Sequence, residues 1–468
     1  MNCPVTSFTT IAGAKTYLLN QLYQLLSDFC LSSKADTNRL LRLEAPLSGC
    51  SPLQWLSCQR HSIRIYWSNR QLDFETAGIG SADSLKSHSI NDYKVLSSHL
   101  KQSFSHYIGN ARYFGGLRFD FATQMDPHWL PYGNYCFILP QFEMTSDSTG
   151  TYLACNVLLD RKQDIKHKLK YTIKELEKVE TVISPIPKSP SSVFLLRQNV
   201  PEKKEWFRNI ETALAILKNG QAEKIVLGRS TMLLFSTAPN PLTLLSQLKA
   251  IEPFAYHFYF QPEHNSAFIG ATPERLYRRQ GQAIESEAVA GTCSRGTTSE
   301  EDKQFGAALL RSHKENCEHR FVCNDIESIL QNLCWHVEVS REIRLLKQAR
   351  VQHLYSQIYG KLRERVSDMD LIKRLHPTPA VGGSPRHMAL QIIDVLEPFD
   401  RGWFAGPIGW IGSDAAEFAV GIRSAVVNDK VLRLFAGAGV VQGSVPELEW
   451  DELENKIGVF MDALQLKI

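Results

Sequence analysis

An apolar stripe that begins on two carboxylates places the firmest constraint on how this chain can fold. In HKENCEHRFVCNDIESILQNL, stepping by threes and fours from Glu315 and Glu318 reaches Val322, Ile326, Ile329 and Leu333, the core-facing side of an amphipathic helix. Glu315 and Glu318 are three apart, so a helix sets them together as one two-carboxylate jaw. Carboxylates that continue a buried stripe need a partner, because an unpaired buried charge is too costly to keep. A second pair, Glu449 and Glu452 in SVPELEWDELENK, lies far along the chain. Two facing jaws would make an all-oxygen cage suited to a hard divalent cation, Mg2+ rather than Zn2+.

The clearest seam is SPIPKSPSS, Ser184 to Ser192, where prolines and serines break all periodicity. It divides an N-terminal part (1–183) from a region at 201–468, with 184–200 as a connector. Beyond it, Pro201 suits a first helical turn, Trp206, Ile210, Leu214 and Leu217 form the apolar stripe, and Asn219-Gly220 closes the helix. KIVLGRSTMLLF, FAYHFYF, AFIGA and AIESEAVAGT read as strands. A long helical region from about Glu300 carries the first jaw. EFAVGIRSAVV and VLRLFAGAG return to strands, and the last helix bears the second jaw. Strands, then helices, then strands again predict an α+β fold rather than regular βαβ winding. A length of 468 residues allows two or three domains or one large intertwined unit.

Composition excludes several classes. A net charge of +3, with no basic tract interleaved with aromatics, argues against a nucleic-acid groove. The Lys-rich stretch Arg161 to Lys178 alternates with Ile165, Leu169, Ile173 and Leu176, the pattern of a helix with one solvated face. Ten cysteines without Cys-x-x-Cys spacing suit a reducing compartment. No signal segment and no membrane-length apolar run are present, so a cytoplasmic protein is expected, with monomer as the default state.

Individual residues add chemistry, each with a plainer reading beside it. Lys224 heads an apolar strand, either as an edge-strand gatekeeper or as a desolvated base. Glu274, in FIGATPERL, is either a turn glutamate paired with Arg275 or a water-shielded general acid. Along EFAVGIRSA, read as one strand, Arg423 shares a face with Ala419, Gly421 and Ala425, leaving room for a bidentate carboxylate ligand. GAGVVQG fails the dinucleotide fingerprint, because Gln442 replaces its third glycine; a backbone nest at Gly437 and Gly439 for a small carboxylate is the better use. Ser444 to Glu447 reads as a capping box, and Glu449, Glu452 and Lys456 share the helix face beyond it. His313, Cys317, His319 and Cys323 point in different directions on one helix, which excludes a shared zinc ion.

Taken in order, KIVLGR, ATPERL, AVAGT, KENCEH, VQHL, IRSA, GAG and PELEWDELENK resemble the chorismate-utilising enzymes over nearly all of Pro201 to Ile468. That family includes isochorismate, salicylate, anthranilate and aminodeoxychorismate synthases. LHPTPAVGGSPR, Leu375 to Arg386, is similar to the version in isochorismate synthases. RLEAPL, IYWSNR, RYFGGLRFD and LPQFE resemble the longer isochorismate synthases of menaquinone and phylloquinone pathways. The resemblance implies an anthranilate synthase component I-like fold: two interlocked halves, each a twisted antiparallel sheet with helices outside. It implies chorismate as substrate and no fused or partner glutaminase. It also implies Mg2+ on Glu318 and Glu452, directly or through water with Glu315 and Glu449. Arg423, the Gly437 and Gly439 amides and Lys456 would hold carboxylates and metal-side charge. Gly291 and Thr292 would line the ring, and His353 would lie near the ring and enolpyruvyl group.

The chemistry so implied is attack of water at C2 of the ring with loss of the C4 hydroxyl. Water is a poor nucleophile and hydroxide a poor leaving group, so Lys224 would take one proton and Glu274 give another from the opposite side. A salicylate synthase, which also eliminates pyruvate, is a rival within the class. A catalytically silent metal-binding relative is the rival outside it.

Overall fold

The protein is described by a computed structural model covering residues 7–31, 39–88, 93–104, 107, 109–121, 124–159, 164–186 and 192–466. The first residues of the Lys-rich stretch (161–163) and part of the seam (187–191) lie outside the described residues. From Ile165 that stretch is a helix burying Leu169, Ile173 and Leu176, as its periodicity predicts. The predicted connector is shorter than composition implied. Phe194–Val200, an apolar run followed by polar residues, is a strand paired with Lys224–Phe235. Pro201 likewise precedes its helix, which runs from Lys203 to Lys218 with Glu202 as N-cap.

Two sheets dominate the described residues, one of twelve strands and one of ten, with every ladder antiparallel. Strands from both sides of the seam are interleaved in each. In the larger sheet the N-terminal strand Arg64–Ser68 pairs with Tyr256–Glu263. In the smaller, Arg112–Leu117 pairs with Pro407–Gly412. Such non-local pairing explains why no stretch of sequence announces either sheet alone. The architecture is α+β, as predicted.

Of the segments that cross from one sheet to the other, two fix the position of the site. Ser266–Thr272 belongs to the larger sheet, and after Pro273 and Glu274 the chain enters the smaller as Arg275–Gln280. Ala415–Val420 belongs to the smaller sheet, and after Gly421, Ile422 and Arg423 the chain enters the larger as Ser424–Asn428. EFAVGIRSA is therefore two strands, which corrects the single-strand reading. Its break falls at Arg423, whose φ of +49 is left-handed and cannot continue a ladder. The crossings lie side by side: Val420 N–H donates to Glu274 O at 3.0 Å, and Ala271 N–H donates to Arg423 O at 3.1 Å.

Aromatic rings fill the space between the sheets. Trp129 lies 5.5 Å from Phe435 and 5.6 Å from Phe268; Trp403 lies 5.3 Å from Tyr132 and 5.2 Å from Phe260. Such contacts contribute about 0.5–1.5 kcal/mol each beyond burial. The last helix, Pro446–Ala463, is pinned to the larger sheet by a buried cation: Arg229 is 2.8 Å from Glu454 and stacks on Trp450 at 4.3 Å. That anchorage sets the register of Glu449, Glu452 and Lys456.

Candidate active site

One cavity, where the two crossings meet the long helix His313–Leu333 and the last helix, is lined by Lys224, Glu274, Gly291, Thr292, Glu318, His353, Arg423, Gly437, Gly439, Glu452 and Lys456. Glu315 and Glu449 stand behind this lining.

Lys224 is the first residue of Lys224–Phe235, and it is not on an edge. It pairs with Ser384 on one side, its neighbour Ile225 pairs with Val440 on the other, and its side chain is 1% exposed. The gatekeeper reading therefore fails. Its Nζ donates to Glu318 Oε1 at 2.7 Å. Its nearest charge is thus the Glu318 carboxylate. The paired-turn reading of Glu274 fails as well. The side chain is buried, and Arg275 turns away to Glu285 at 2.9 Å and Glu417 at 3.6 Å. No described residue donates a hydrogen bond to the Glu274 carboxyl. Burial pushes it up to about 8, the charge of Glu287 adds to this, and Lys224 and Lys456 oppose it. The carboxyl therefore keeps its proton at neutral pH.

Gly291 interrupts the strand Ala283–Ser294 as a bulge with φ +78. A Cβ there would lie 3.2 Å from Glu315 Cβ and O, so the strand approaches the helix this closely only as glycine. The bulge frees Thr292 N–H to donate to Glu315 Oε2 at 3.0 Å. Thr292 Oγ1 lies 2.9 Å from Nδ1 of His353, its cross-strand neighbour, and Gln348 Oε1 lies 3.3 Å from Nε2. Burial, then the charges of Arg423 and Lys456, push His353 down to about 3, so the imidazole is neutral. The Arg423 guanidinium makes no hydrogen bond or ion pair with a described residue; burial lowers it to about 10, leaving it charged and open to an anion.

The glycine segment is a strand rather than a turn. Gly437 and Gly439 lie inside the strand Val431–Val440, opposite Gly228 and Val226. Those partners turn their N–H groups away, to Glu397 Oε1 and Gly382 O, so the Gly437 and Gly439 amides face away from that strand. On that side Lys456 Nζ donates to Gly437 O at 2.7 Å. Gly439 also provides clearance: a Cβ there would lie 3.0 Å from Lys224 Cε and 3.3 Å from Glu318 Oε1. The capping box is absent. Val445 is the N-cap, Ser444 Oγ accepts from Val441 N–H at 3.2 Å, and Glu447 is exposed. Ser444 serves the site instead, through a hydrogen bond to Glu449.

The acidic jaws face each other. Burial and then Glu318 raise Glu315, with a further contribution from Glu452 on the other helix. Burial and then Glu452 push Glu449 up to about 7. Burial alone would raise Glu318, but Lys224 holds it below the usual carboxylate value. Yet among the described residues no three metal-ligating side chains gather tightly enough to hold an ion. The expected cage is not closed, because each carboxylate has taken a protein donor. Glu318 pairs with Lys224, Glu452 with Lys456, Glu315 accepts from Thr292, and Glu449 bonds Ser444. Four carboxylates at one end of a cavity, with the charge of Glu452 acting on Glu315 from the other helix, fit a hard divalent cation in donor chemistry. Closing on one requires Glu318 and Glu452 to leave their lysines.

Arg401, also on the cavity wall, was missed in the sequence. Its guanidinium donates to Val226 O at 2.7 Å and Val381 O at 2.8 Å, joining the Lys224 strand to the LHPTPAVGGSPR segment. A lone Arg in FDRGW carries no periodic signal that could have found it.

A family profile described as "Chorismate binding enzyme" matches residues 24–465. Isochorismate synthase 2, chloroplastic, of Arabidopsis thaliana is 34% identical over 478 residues, covering 95% of this chain and 84% of that protein. The solved structure of MenF, the menaquinone-specific isochorismate synthase from Escherichia coli, superposes with a TM-score of 0.85 at 29% identity, covering 97% of this chain and 100% of that one. Anthranilate synthase component I from Streptococcus pneumoniae shares the fold, with a TM-score of 0.69 at 20% identity over 84% of this chain and 92% of that one. Among the described residues no helix is long and apolar enough to cross a membrane.

Proposed function

The chain belongs to the chorismate binding enzymes, and from that premise we propose that it is an isochorismate synthase, an isomerase that converts chorismate to isochorismate. The observation carrying this reading is one cavity faced by a buried lysine, a buried carboxyl that keeps its proton at neutral pH, and a free arginine.

Water adds to C2 of the ring, the double bonds shift, and the C4 hydroxyl leaves as water. Lys224, released from Glu318, takes the proton of the attacking water. Glu274 gives its proton to the departing hydroxyl. Each transfer contributes roughly 10²–10⁴-fold. Arg423 binds a substrate carboxylate through parallel hydrogen bonds, while Lys456 supplies positive charge beside Glu452. Neutral His353, fixed by Thr292 and Gln348, presents a polar edge to the ring without adding charge. Mg2+ would be held by Glu318 and Glu452, backed by Glu315 and Glu449, and would polarise the ring carboxylate as a Lewis acid. Because water is the nucleophile, no glutaminase partner is needed.

The product feeds naphthoquinone biosynthesis, towards menaquinone or phylloquinone. Support comes from the full-length match, N-terminal part included, to an enzyme named as menaquinone-specific. Purified protein incubated with chorismate and Mg2+, with and without ammonium, is expected to yield isochorismate in both cases by chromatography. Salicylate with pyruvate, anthranilate, or unconsumed chorismate would overturn the reading.

A further inference from the structure

Glu274 reaches the cavity from a short crossing between sheets, and a crossing has no ladder of its own to hold it. Its neighbours are held by one buried ion pair. Arg70, from the turn after the N-terminal strand Arg64–Ser68, donates through Nη1 to Pro273 O at 2.7 Å. The same guanidinium grips both carboxylate oxygens of Glu287, at 2.9 and 2.7 Å. Glu287 Oε1 in turn accepts from Arg275 N–H at 2.8 Å. The pair thus binds the residue before Glu274 and the residue after it. Arg70 lies over the rings of Tyr256 and Tyr355, at 5.6 and 5.5 Å, and the Glu287 side chain is fully buried.

We infer that Arg70 and Glu287 are positioning residues that aim the Glu274 carboxyl into the cavity and set its charge state. This rests on the proposed role of Glu274 as acid, and it assigns the N-terminal part of the chain a task at the active site. The charged groups acting on Glu274 are Glu287 from the adjoining strand, Lys224 from the larger sheet and Lys456 from the last helix. Glu287 is itself anionic: burial alone would raise it, but Arg70 and Arg275 hold it below the usual carboxylate value. A fixed anion beside a buried carboxyl favours the protonated form. Arg70, spent on Glu287 and Pro273 O, keeps the anion in place without itself facing the acid.

The test is infrared titration of the full-length protein, following the carbonyl band of a protonated carboxyl that is present in wild type and absent in Glu274→Gln. In Glu287→Gln, which keeps the shape and removes the charge, the band's midpoint is expected to fall by about one pH unit or more, a tenfold change in protonation. An unchanged midpoint overturns the inference. Should Glu287→Gln not fold, the neutral pair Arg70→Gln/Glu287→Gln is read the same way. Arg70→Lys keeps the charge but cannot grip Glu287 and Pro273 O together. It is expected to lower kcat at least tenfold with an unmoved midpoint, and wild-type kcat there overturns the positioning role. The titration needs no turnover. A wild type that makes no isochorismate therefore defeats the functional reading alone, while an unmoved midpoint with active wild type defeats this one alone.

Discussion

Gly439→Ala tests how the cavity is built, with a magnitude that follows from three distances. The added Cβ would lie 3.0 Å from Lys224 Cε, 3.3 Å from Glu318 Oε1 and 3.5 Å from Lys224 Nζ. Carbon atoms rest at about 3.5–4.0 Å, so Lys224 must withdraw by about 0.5 Å. It is 1% exposed and has no solvent to withdraw into. Misplacing a reacting group by about 1 Å can cost on the order of 10²-fold, so a loss of about 10- to 100-fold in kcat is expected. Stability should fall by no more than about 2.5 kcal/mol. Overpacking by one methyl costs about 1–3 kcal/mol, and replacing glycine in a strand returns about 0.5–1 kcal/mol. Gly437→Ala is the control, since its Cβ meets only ordinary contacts, at 3.4 Å from Leu227 O and Val226 Cγ1. Steady-state conversion of chorismate, with Tm measured alongside, reads both variants. A Gly439→Ala enzyme with wild-type kcat would refute the clearance argument, while equal kcat losses in both would assign the effect to the shared backbone amides.

Three more expectations follow from the same geometry. Glu274→Gln should lower turnover by at least about 10²-fold yet stabilise the fold at alkaline pH. The carboxyl rises from 4.5 to about 8 on folding, so its contribution is complete below 4.5 and is lost as pH climbs through 8; equal Tm values for the two proteins at pH 9 would contradict this. After chelation, Mg2+ should raise the Tm of the wild type by binding the native state, and should do so less in Glu318→Gln; an identical rise in both proteins would remove Glu318 from the metal site. Glu454→Ala strips Arg229 and Arg197 of their carboxylate and should cost about 3–5 kcal/mol in denaturant unfolding, with under about 1 kcal/mol counting against the anchoring role of this pair.

What the sequence disclosed and what it withheld divide along the range of the interactions. Helical jaws are legible because the i, i+3 spacing of Glu315 and Glu318 is local, and the stripe running on to Val322 and Ile326 is periodic; both apolar residues are buried. Lys224 and Glu274 are legible as oddities, charges within or beside apolar strands. That Gly437 and Gly439 sit in a strand and not a turn is hidden in the sequence, because a glycine-rich segment between strand and helix looks alike in both cases. Only pairing with Gly228 and Val226 decides between the two. The break at Arg423 was invisible for the same reason, since alternation persists across Gly421 although the chain has changed sheets. Arg70, Glu287 and Arg401 lay beyond reach altogether. Each acts through a partner remote in sequence, at Pro273 O, Arg70 or Val226 O, and no local pattern records such a bond.

The crossings explain why a buried carboxyl and an arginine without an ion pair share one cavity. A residue inside a ladder has its backbone satisfied on both sides and points to a face of its sheet. A residue at a crossing sits where two sheets part, so its side chain enters the gap between them. Two neighbouring crossings therefore place two side chains at the mouth of one gap, here Glu274 and Arg423, with backbones joined through Val420 N–H and Ala271 N–H. The larger sheet brings Lys224 to the same gap, and the two helices close it with carboxylates. Chemistry that needs a dry acid and a carboxylate-binding cation is thus located by topology before any side chain is chosen. Val226, Val381 and Ile422 complete the wall with apolar surface, which leaves the charged groups as the features that orient whatever enters.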